Sequence, residues 1–367
     1  MRAKIITIIF LIPVLLVALT LAQQKTDWKG KVEDENGVII VKNPREPIYS
    51  RDIVQIEEEI SIGEKEGKEE YLFYQMGAIE VDEDERIFIS DSKESVIKVF
   101  NGDGEYLYSI GRKGQGPGEF EKIYRIQITH NNELLVFDSS TRRLSFFLLN
   151  GDFIKSIHIN VLNVLNLFMK SNGGYIIQSV MLDPVSAYAI SSIDLCDSQF
   201  NIKLNIAASK PQDVLTPFLS YIVWKPMKND YIAFGHNENY EIDIFDSDGN
   251  IVRKIIKAYK PIEVSDEERK QRLESLQQPL NKDVPRFHPA YNRFTIDEEY
   301  RIFVQTWEKP EEREGYFYDV FDPEGKFITK TVFPFPPRIW KKNKLYTIEE
   351  DEEGYRYVKR YNVSWNY

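Results

Sequence analysis

The sequence has little cysteine, little histidine and no excess of positive charge, and each scarcity excludes a class of protein. A single cysteine, Cys196, excludes an internal disulfide framework and a cysteine-based zinc cluster. Acidic residues outnumber basic ones by 58 to 47, giving a net charge of −11, which argues against nucleic acid as the main partner. With 42% hydrophobic and 13% aromatic residues, the chain is too apolar to be disordered.

Long hydrophobic runs are absent except at the N-terminus. Arg2 and Lys4 precede an apolar stretch over 5–21, and Thr20-Leu21-Ala22 has the small residues of a signal-peptidase site. An uncleaved membrane anchor is the alternative, but Pro13 and the Ala22-Gln23 junction favour cleavage. No cysteine follows the run, so a lipoprotein anchor is not expected. We expect a periplasmic or secreted protein that starts near Gln23 and has no membrane span after cleavage.

An internal repeat predicts the fold. A glycine-containing turn flanked by alternating apolar strands recurs at intervals of about 48 residues, with one longer interval. Its copies are centred on Gly104, Gly151, a degenerate turn at Phe200, Gly249 and Gly325. Two shorter strands precede each copy, so each unit has four strands. Four antiparallel strands in a unit of this length are typical of one β-propeller blade.

The chain length predicts six blades and indicates how the ring closes. Removal of the signal leaves residues for six units, one insertion and a short leading segment, and too few for seven units. The last unit lacks its fourth strand. Ile60-Ser61-Ile62-Gly63 repeats the pattern of Tyr108-Ser109-Ile110-Gly111. We therefore expect 53–62 to pair beside 355–361 as the outer strand of the C-terminal blade, closing the ring.

Two segments fall outside the repeat, so three parts are predicted. A signal peptide occupies 1–22, an N-terminal segment occupies 23–52, and an all-β, six-bladed propeller occupies 53–367. Asn36-Gly37 before an apolar run predicts a short hairpin in the N-terminal segment. The second segment, an insertion over 258–290, should contain a helix from Asp266 to about Gln278, capped by Ser265 and Glu268 and stopped by Pro279.

The run Ile110-Gly111-Arg112-Lys113-Gly114-Gln115-Gly116-Pro117-Gly118-Glu119-Phe120 resembles a known inter-blade signature. It is similar to the Gly-rich linker of the bacterial six-bladed β-propeller family related to NHL-repeat and TolB-like proteins. The resemblance implies a secreted or periplasmic propeller and transfers no catalytic residues. The later blades lack a second copy of the signature.

Propeller winding places the strand 2–3 links, the inter-blade links and the insertion on one face, where rigid scaffolds commonly carry sites. Asp91, Asp138 and His236 occupy one repeat position there. The candidate ligand-binding residues on this face are Arg112, Lys113, Asp138, Arg142, His236, Arg286, His288 and Trp307.

Each candidate also has a structural interpretation. Asp91 and Asp138 can accept backbone N–H groups in their own turns, and His236 can do the same at the equivalent position. Arg112 and Lys113 can belong to a solvated loop. The glycine cluster lacks the Lys-Ser/Thr of a phosphate-binding loop, which favours a blade linker. Trp224, Trp307 and Trp340 can be blade packing, with Trp307 the best candidate for an exposed aromatic.

Metal and catalytic motifs are scarce. Of the four histidines, only His236 and His288 can approach each other on the repeat map, which argues against a three-histidine zinc site. Asp246-Ser247-Asp248-Gly249 lacks the remaining ligands of an EF-hand loop. No nucleophile elbow or zinc-protease motif is present. No cofactor, metal ligand or catalytic residue is therefore predicted, although a channel calcium held by several blades would leave no local motif.

The function favoured by these observations is a binding scaffold, monomeric, with a protein, peptide or glycan ligand under the insertion. The alternative is a calcium- or zinc-dependent hydrolase or lyase resembling gluconolactonase-like propellers. A third is a purely structural interaction module. Because propellers host many activities, the fold does not choose among them.

Overall fold

The computed structural model describes residues 27–367, apart from 184, 186, 187, 214, 215, 280–282, 312 and 313. The predicted signal peptide and its cleavage site lie outside the described residues. No helix in the described part of the chain combines the length and the apolar character needed to cross a membrane.

The N-terminal segment forms a hairpin of β1 (Lys31–Glu35) and β2 (Val38–Asn43), followed by a long strand, β3 (Val54–Ile62). The first three blades follow in chain order. Blade 1 contains β4 (Met76–Val81), β5 (Ile87–Asp91), β6 (Val96–Phe100) and β7 (Tyr106–Ile110). Blade 2 contains β8 (Ile123–Ile128), β9 (Glu133–Asp138), β10 (Arg143–Leu148) and β11 (Phe153–His158). Blade 3 contains β12 (Val164–Met169), β13 (Tyr175–Leu182), β14 (Tyr188–Cys196) and β15 (Ile202–Ala208), with the two-residue β16 (Gln212–Asp213) beside β14.

The remaining three blades complete the ring. Blade 4 contains β17 (Ile222–Pro226), β18 (Ile232–His236), β19 (Glu241–Phe245) and β20 (Ile251–Lys257). Blade 5 contains β21 (Arg293–Ile296), β22 (Ile302–Gln305), β23 (Tyr316–Phe321) and β24 (Phe327–Phe333). Blade 6 contains β25 (Ile339–Lys341), β26 (Lys344–Glu350) and β27 (Arg356–Trp365), and β3 is its fourth strand. Short 3-10 helices occur at Glu69–Tyr71 and Lys228–Asp230. The prediction of a six-bladed propeller with four-stranded antiparallel blades is confirmed.

The repeated glycine turn has a backbone cause. Gly104 and Gly151 connect strands 3 and 4 of their blades with φ of 83° and 97°, a left-handed conformation that favours glycine. In blade 3 the same turn is made by Phe200 at φ 65°. The degenerate copy in the sequence therefore keeps the conformation and loses only the preferred residue.

The two ends of the chain meet in blade 6. β3 pairs antiparallel with β27 over eight residue pairs, including Ile62 with Val358 and Ile60 with Arg360. Ile62 and Val358 are both buried in the cluster that packs blade 6 against blade 1. This is the arrangement expected from the repeated Ser-Ile-Gly pattern.

The N-terminal hairpin docks on the outer edge of blade 4. β2 runs parallel to β20, so that blade becomes a six-stranded sheet ordered β1-β2-β20-β19-β18-β17. The buried Asn43 then connects two blades: its amide donates to the carbonyl oxygens of Ile256 and Gly325, and its Oδ1 accepts from the N–H of Phe327. Farther on, the N–H groups of Ile48 and Tyr49 bond to blade 5. The segment before β3 thus spans blades 4 and 5 before closing blade 6.

The insertion between blades 4 and 5 carries the helix α1 (Asp266–Ser275). Ser265 and Glu268 form the capping box that the sequence indicates. The helix ends three residues before the expected boundary, at Ser275. Gln277 adopts φ 53°, and the N–H groups of Gln277 and Gln278 bond back to the carbonyls of Glu274 and Leu273. This left-handed C-terminal cap ends the helix before Pro279 is reached.

Candidate functional site

The strand 2–3 links of blades 1 and 2 are held by buried aspartates. The Asp91 carboxylate accepts N–H bonds from Tyr74, Gln75, Lys93 and Glu94, at 2.7–3.3 Å. Both Asp91 and Asp138 are almost fully buried.

The Asp138 carboxylate plays the same part in blade 2. It accepts N–H bonds from Glu121, Ser140 and Thr141 at 2.7, 2.9 and 3.1 Å. Each aspartate therefore joins its own link to the linker that enters the blade. These bonds account for both residues as structural acceptors, without a ligand.

Blade 4 uses an amide instead of a carboxylate, one position later than the repeat map predicts. Asn237 is fully buried, and its Oδ1 accepts from the N–H of Tyr221 at 2.6 Å. Its amide also donates to the carbonyl of Tyr291 at 2.8 Å. His236, the expected equivalent of Asp138, instead places Nδ1 3.8 Å from the Glu238 carboxylate. Burial lowers the pKa of His236, against the opposing effect of Glu238.

The Gly-rich linker between blades 1 and 2 is closed on itself. Glu119 accepts from the N–H of Gly116 and from Arg112, both at 2.8 Å. The guanidinium of Arg143 donates to the carbonyls of Gln115 and Glu119. Lys113 pairs through its backbone with Phe120, and Arg142 is an exposed residue with φ 53°. The N–H groups of Gly114 and Gly116 are engaged within the segment, and a carboxylate occupies the position where a phosphate would bind, which favours a linker.

A cluster of aromatic rings lies under α1. His288, from the end of the insertion, stacks on Trp307 with ring centroids 4.3 Å apart and planes 12° apart. Phe218, from the link before blade 4, meets His288 edge-on at 5.2 Å. On the helix side, the Glu268 carboxylate lies 3.6 Å from His288 Nε2. Three separate segments thus converge on one imidazole.

The charges of this cluster are set by burial and by the helix cap. Burial lowers the pKa of His288, although Glu268 opposes the shift. Burial alone would raise the pKa of Glu268, but hydrogen bonds from Lys309 and Ser265 lower it to about 2. A neutral imidazole therefore faces an ionised carboxylate. His288 Nδ1 and Trp307 Nε1 are buried and find no hydrogen-bond partner within the described part of the chain.

These rings border a cleft of about 990 Å³ between α1 and the link that joins β22 to β23. Its wall is rich in carboxylates and aromatic side chains: Glu263, Glu268, Glu308, Glu311, His288, Trp307 and Phe317. Lys309 bonds Glu268 at 2.7 Å across the cleft. Arg286 is exposed and pairs with Glu263 at 2.7 Å, which places it at the rim.

The eight predicted ligand-binding residues do not form one site in the structure. His288 and Trp307 are in contact in the cleft wall, and Arg286 reaches it through Glu263. Arg112, Lys113, Asp138 and Arg142 belong to the link region of blades 1 and 2, and His236 contacts Glu238. Phe218 and Glu268 were missed as site residues. The capping box had marked Glu268 as structural, whereas Phe218 lies in an inter-blade link without any motif.

Among the described residues, no three His, Cys, Asp or Glu side chains are grouped closely enough to hold a metal ion. Cys196 is a buried free thiol. Burial, with smaller contributions from Asp194 and Asp197, raises the pKa of this thiol to about 11.

A family model described as a 6-bladed beta-propeller matches residues 33–202. The chain is a six-bladed β-propeller. A search of curated proteins found no match.

Solved structures show the same fold. A candidate exported protein from Bacteroides fragilis is 13% identical with a TM-score of 0.56, covering 89% of this chain and 100% of that one. A DUF4221-family member from Bacteroides vulgatus is 15% identical with a TM-score of 0.55, covering 85% and 99%. Virginiamycin B lyase from Staphylococcus aureus is 10% identical with a TM-score of 0.45, covering 85% and 99%, a likeness too low to bear on function. At these identities the propeller fold is the shared property.

Proposed function

We propose that the protein is an extracytoplasmic binding scaffold whose ligand, a glycan, occupies the cleft between α1 and the Trp307 link. The observation that carries this proposal is the stacked His288–Trp307 pair in the wall of a cleft of about 990 Å³. Ligand pockets of proteins fall in this size range and combine aromatic surface with a few polar groups. The insertion that builds the cleft is the part of the propeller that departs most from its repeat.

The chemistry of the wall favours a polar, uncharged ligand. Ionised carboxylates only accept hydrogen bonds, and sugar hydroxyls donate them. An aromatic ring such as Trp307 offers apolar area for the C–H face of a sugar. Because Lys309 and Arg286 already neutralise Glu268 and Glu263, the cleft has no large excess of one charge.

Export is part of the same proposal. The signal-like sequence over 1–22, the single cysteine and the fold shared with a candidate exported protein support it. So does the linker over 110–120, which suggests a relationship to NHL-repeat and TolB-like propellers. The purified envelope or secreted form should begin at Gln23 when its N-terminus is sequenced. A chain that still begins at Met1 would contradict cleavage.

The proposal is tested by binding on a glycan array, followed by calorimetry with the strongest oligosaccharide. Trp307→Ala should weaken the affinity at least about tenfold, since stacking on an aromatic ring in a pocket contributes on the order of 1.4 kcal/mol or more. Glu308→Gln, an exposed substitution in the same wall, should weaken it about threefold without disturbing the fold.

Tyr355→Ala is the matched control, because this ring is exposed in blade 6 and lies outside the cleft wall. It should leave the affinity unchanged. No oligosaccharide binding, or binding that Trp307→Ala and Glu308→Gln both leave intact, would overturn the assignment. Selective binding of a peptide library at this cleft would replace the glycan by a peptide.

A further inference from the structure

The central channel of the propeller contains a cavity lined by cations, although the whole chain is acidic. Its wall is formed by the inner strands of the blades, which contact one another around the ring. Three basic residues reach one cavity of about 320 Å³ in it: Lys225 on β17, Arg293 at the start of β21, and Arg338 just before β25. Among the described residues, no carboxylate lines this cavity, although acidic residues outnumber basic ones in the chain.

These cations are uncompensated within the described part of the protein. Surface lysines and arginines elsewhere, such as Lys330 and Arg356, pair with carboxylates at 2.6 and 2.9 Å. Lys225, Arg293 and Arg338 form no ion pair with any described residue. Like charges in one cavity repel each other, so the arrangement is unfavourable until a negative charge enters.

A further guanidinium, Arg125, lies behind the cavity, and the Glu80 carboxyl of blade 1 interacts with it. Arg125 on β8 donates to the Asn166 side chain, which is part of the cavity wall. Burial and the nearby guanidinium groups of Arg125, Arg338 and Arg293 lower the pKa of Lys225 to about 8. Burial also lowers the pKa of Arg338, with Arg293 contributing. A divalent cation such as calcium would be repelled here, whereas an anion would relieve the repulsion.

We propose that this channel cavity binds a small oxyanion carrying at least two negative charges, held by Arg293, Arg338 and Lys225. Guanidinium forks match the paired oxygens of carboxylate and phosphate, and an ammonium supplies a point charge. The site is distinct from the cleft beside α1, and its occupancy does not depend on a glycan ligand.

The rest of the wall sets the size and character of the anion. The cavity corresponds to the volume of about ten water molecules, so it accommodates a compact molecule and not a polymer. Trp224, Tyr318 and Pro337 add apolar surface, and Asn166 and Gln178 add neutral amides. Gln178 is fixed by accepting from Trp224 Nε1 at 2.9 Å. A multivalent anion with a small carbon skeleton fits this wall.

The test is calorimetric titration of the purified protein with inorganic phosphate and with citrate, at constant ionic strength set by chloride. The double variant Arg293→Gln/Arg338→Gln should weaken the affinity at least about tenfold. Both side chains are accessible to solvent inside the channel, although the surrounding blades partly desolvate Arg338, so the variant should keep its fold, checked by its melting temperature without anion. Lys155→Gln/Lys203→Gln, on exposed outer strands β11 and β15, removes the same charge and should change the affinity less than about twofold.

Lysine labelling at pH 8 locates the site independently. Lys225 should react faster than other lysines in the free protein, and citrate or phosphate should protect it while Lys155 and Lys203 stay reactive. Binding of citrate alone would indicate a carboxylate ligand, and binding of phosphate alone a phosphate ligand. The proposal fails if neither anion binds above the chloride background, if the double variant binds as well as the control, or if Lys225 is not protected. Those results leave the glycan test unaffected.

Discussion

Blades 1 and 2 and blades 4 and 5 use the same four strands but differ in the segments that join them. In blades 1 and 2 a buried aspartate binds each link, and the linker between them is closed by Glu119 and Arg143. In blades 4 and 5 the edge receives an additional hairpin, the connection grows by the insertion, and the link after β22 carries Trp307. On one side of the ring, carboxylates engage the N–H groups of the links, whereas on the other side rings and carboxylates surround a cleft.

This difference indicates which links of the propeller have polar groups available to bind a ligand. A link whose N–H groups all point at one carboxylate has no donor left for a ligand. Blade 4 shows how the constraint changes, because Asn237 must satisfy the carbonyl of Tyr291 as well as the N–H of Tyr221. An amide can do both, whereas a carboxylate can only accept.

The strongest loss of stability is expected when the amide that holds the link of blade 4 is replaced by the carboxylate that blades 1 and 2 use. Asn237→Asp should lower the free energy of unfolding by about 4 kcal/mol at pH 7, because a buried carboxylate would face the Tyr291 carbonyl without a donor between them. Acid should reduce the deficit, since the introduced group has a raised pKa in the folded state and its protonated form can donate. Urea unfolding at pH 7 and pH 4 measures both.

The converse exchange, Asp138→Asn, should cost about 2 kcal/mol, because an amide group would replace one acceptor facing N–H donors. Asp152→Asn in the exposed turn of the same blade should change stability by less than about 0.5 kcal/mol. A loss under about 1 kcal/mol for Asn237→Asp would show that the two links do not differ in this way.

The next prediction concerns the stabilisation of the ring by the hairpin that docks on blade 4. Asn43→Ala should lower the free energy of unfolding by about 3 kcal/mol, because it orphans buried carbonyls of blades 4 and 5 and the N–H of Phe327. Asn150→Ala, in an exposed turn of blade 2, should cost less than about 1 kcal/mol. Equal melting temperatures for the two variants would mean that the hairpin adds nothing to the ring.

The smallest change in stability is expected for a carboxyl group of blade 1 that lies in the channel. Burial raises the pKa of Glu80 to about 7, against the effects of Arg125 and Lys341. Because the pKa of Glu80 is higher in the folded than in the unfolded state, this carboxyl favours folding when it is protonated. The favourable contribution to the free energy of unfolding is complete below the ordinary pKa of about 4.5 and is lost as the pH rises through about 7. Glu80→Gln should therefore be about 1 kcal/mol more stable than the parent at pH 8, with the difference shrinking towards pH 4. A constant difference between pH 4 and pH 8 in chemical denaturation would contradict this.

The repeated parts of the molecule were predictable, and the reasons are physical. The turn at Gly104 needs a left-handed residue, and strand alternation marks one buried face, so both leave a periodic trace in the sequence. The capping box at Ser265 is likewise local. The repeat map placed His236 at the same strand register as Asp91 and Asp138, and the pairing with the inner strand agrees. The sequence did not show that the role of link acceptor passes to the next residue, Asn237.

The sites were less predictable because they depend on contacts between distant segments. Phe218 reaches His288 from another inter-blade link, and Arg293, Arg338 and Lys225 come from three different blades. No spacing in the sequence relates them. Only ring geometry brings such residues to one axis, so the cation-lined cavity had no local motif.

The pairing of β3 with β27 has a consequence for how the protein folds during its synthesis. Glu58 and Lys359, which meet across this seam, are 301 positions apart. An early segment must therefore stay unpaired until the final strand is available, and such distant contacts form slowly. A chain cut short near its C-terminus would also expose the inner edge of β3, which β27 covers in the folded protein, to pairing with another chain.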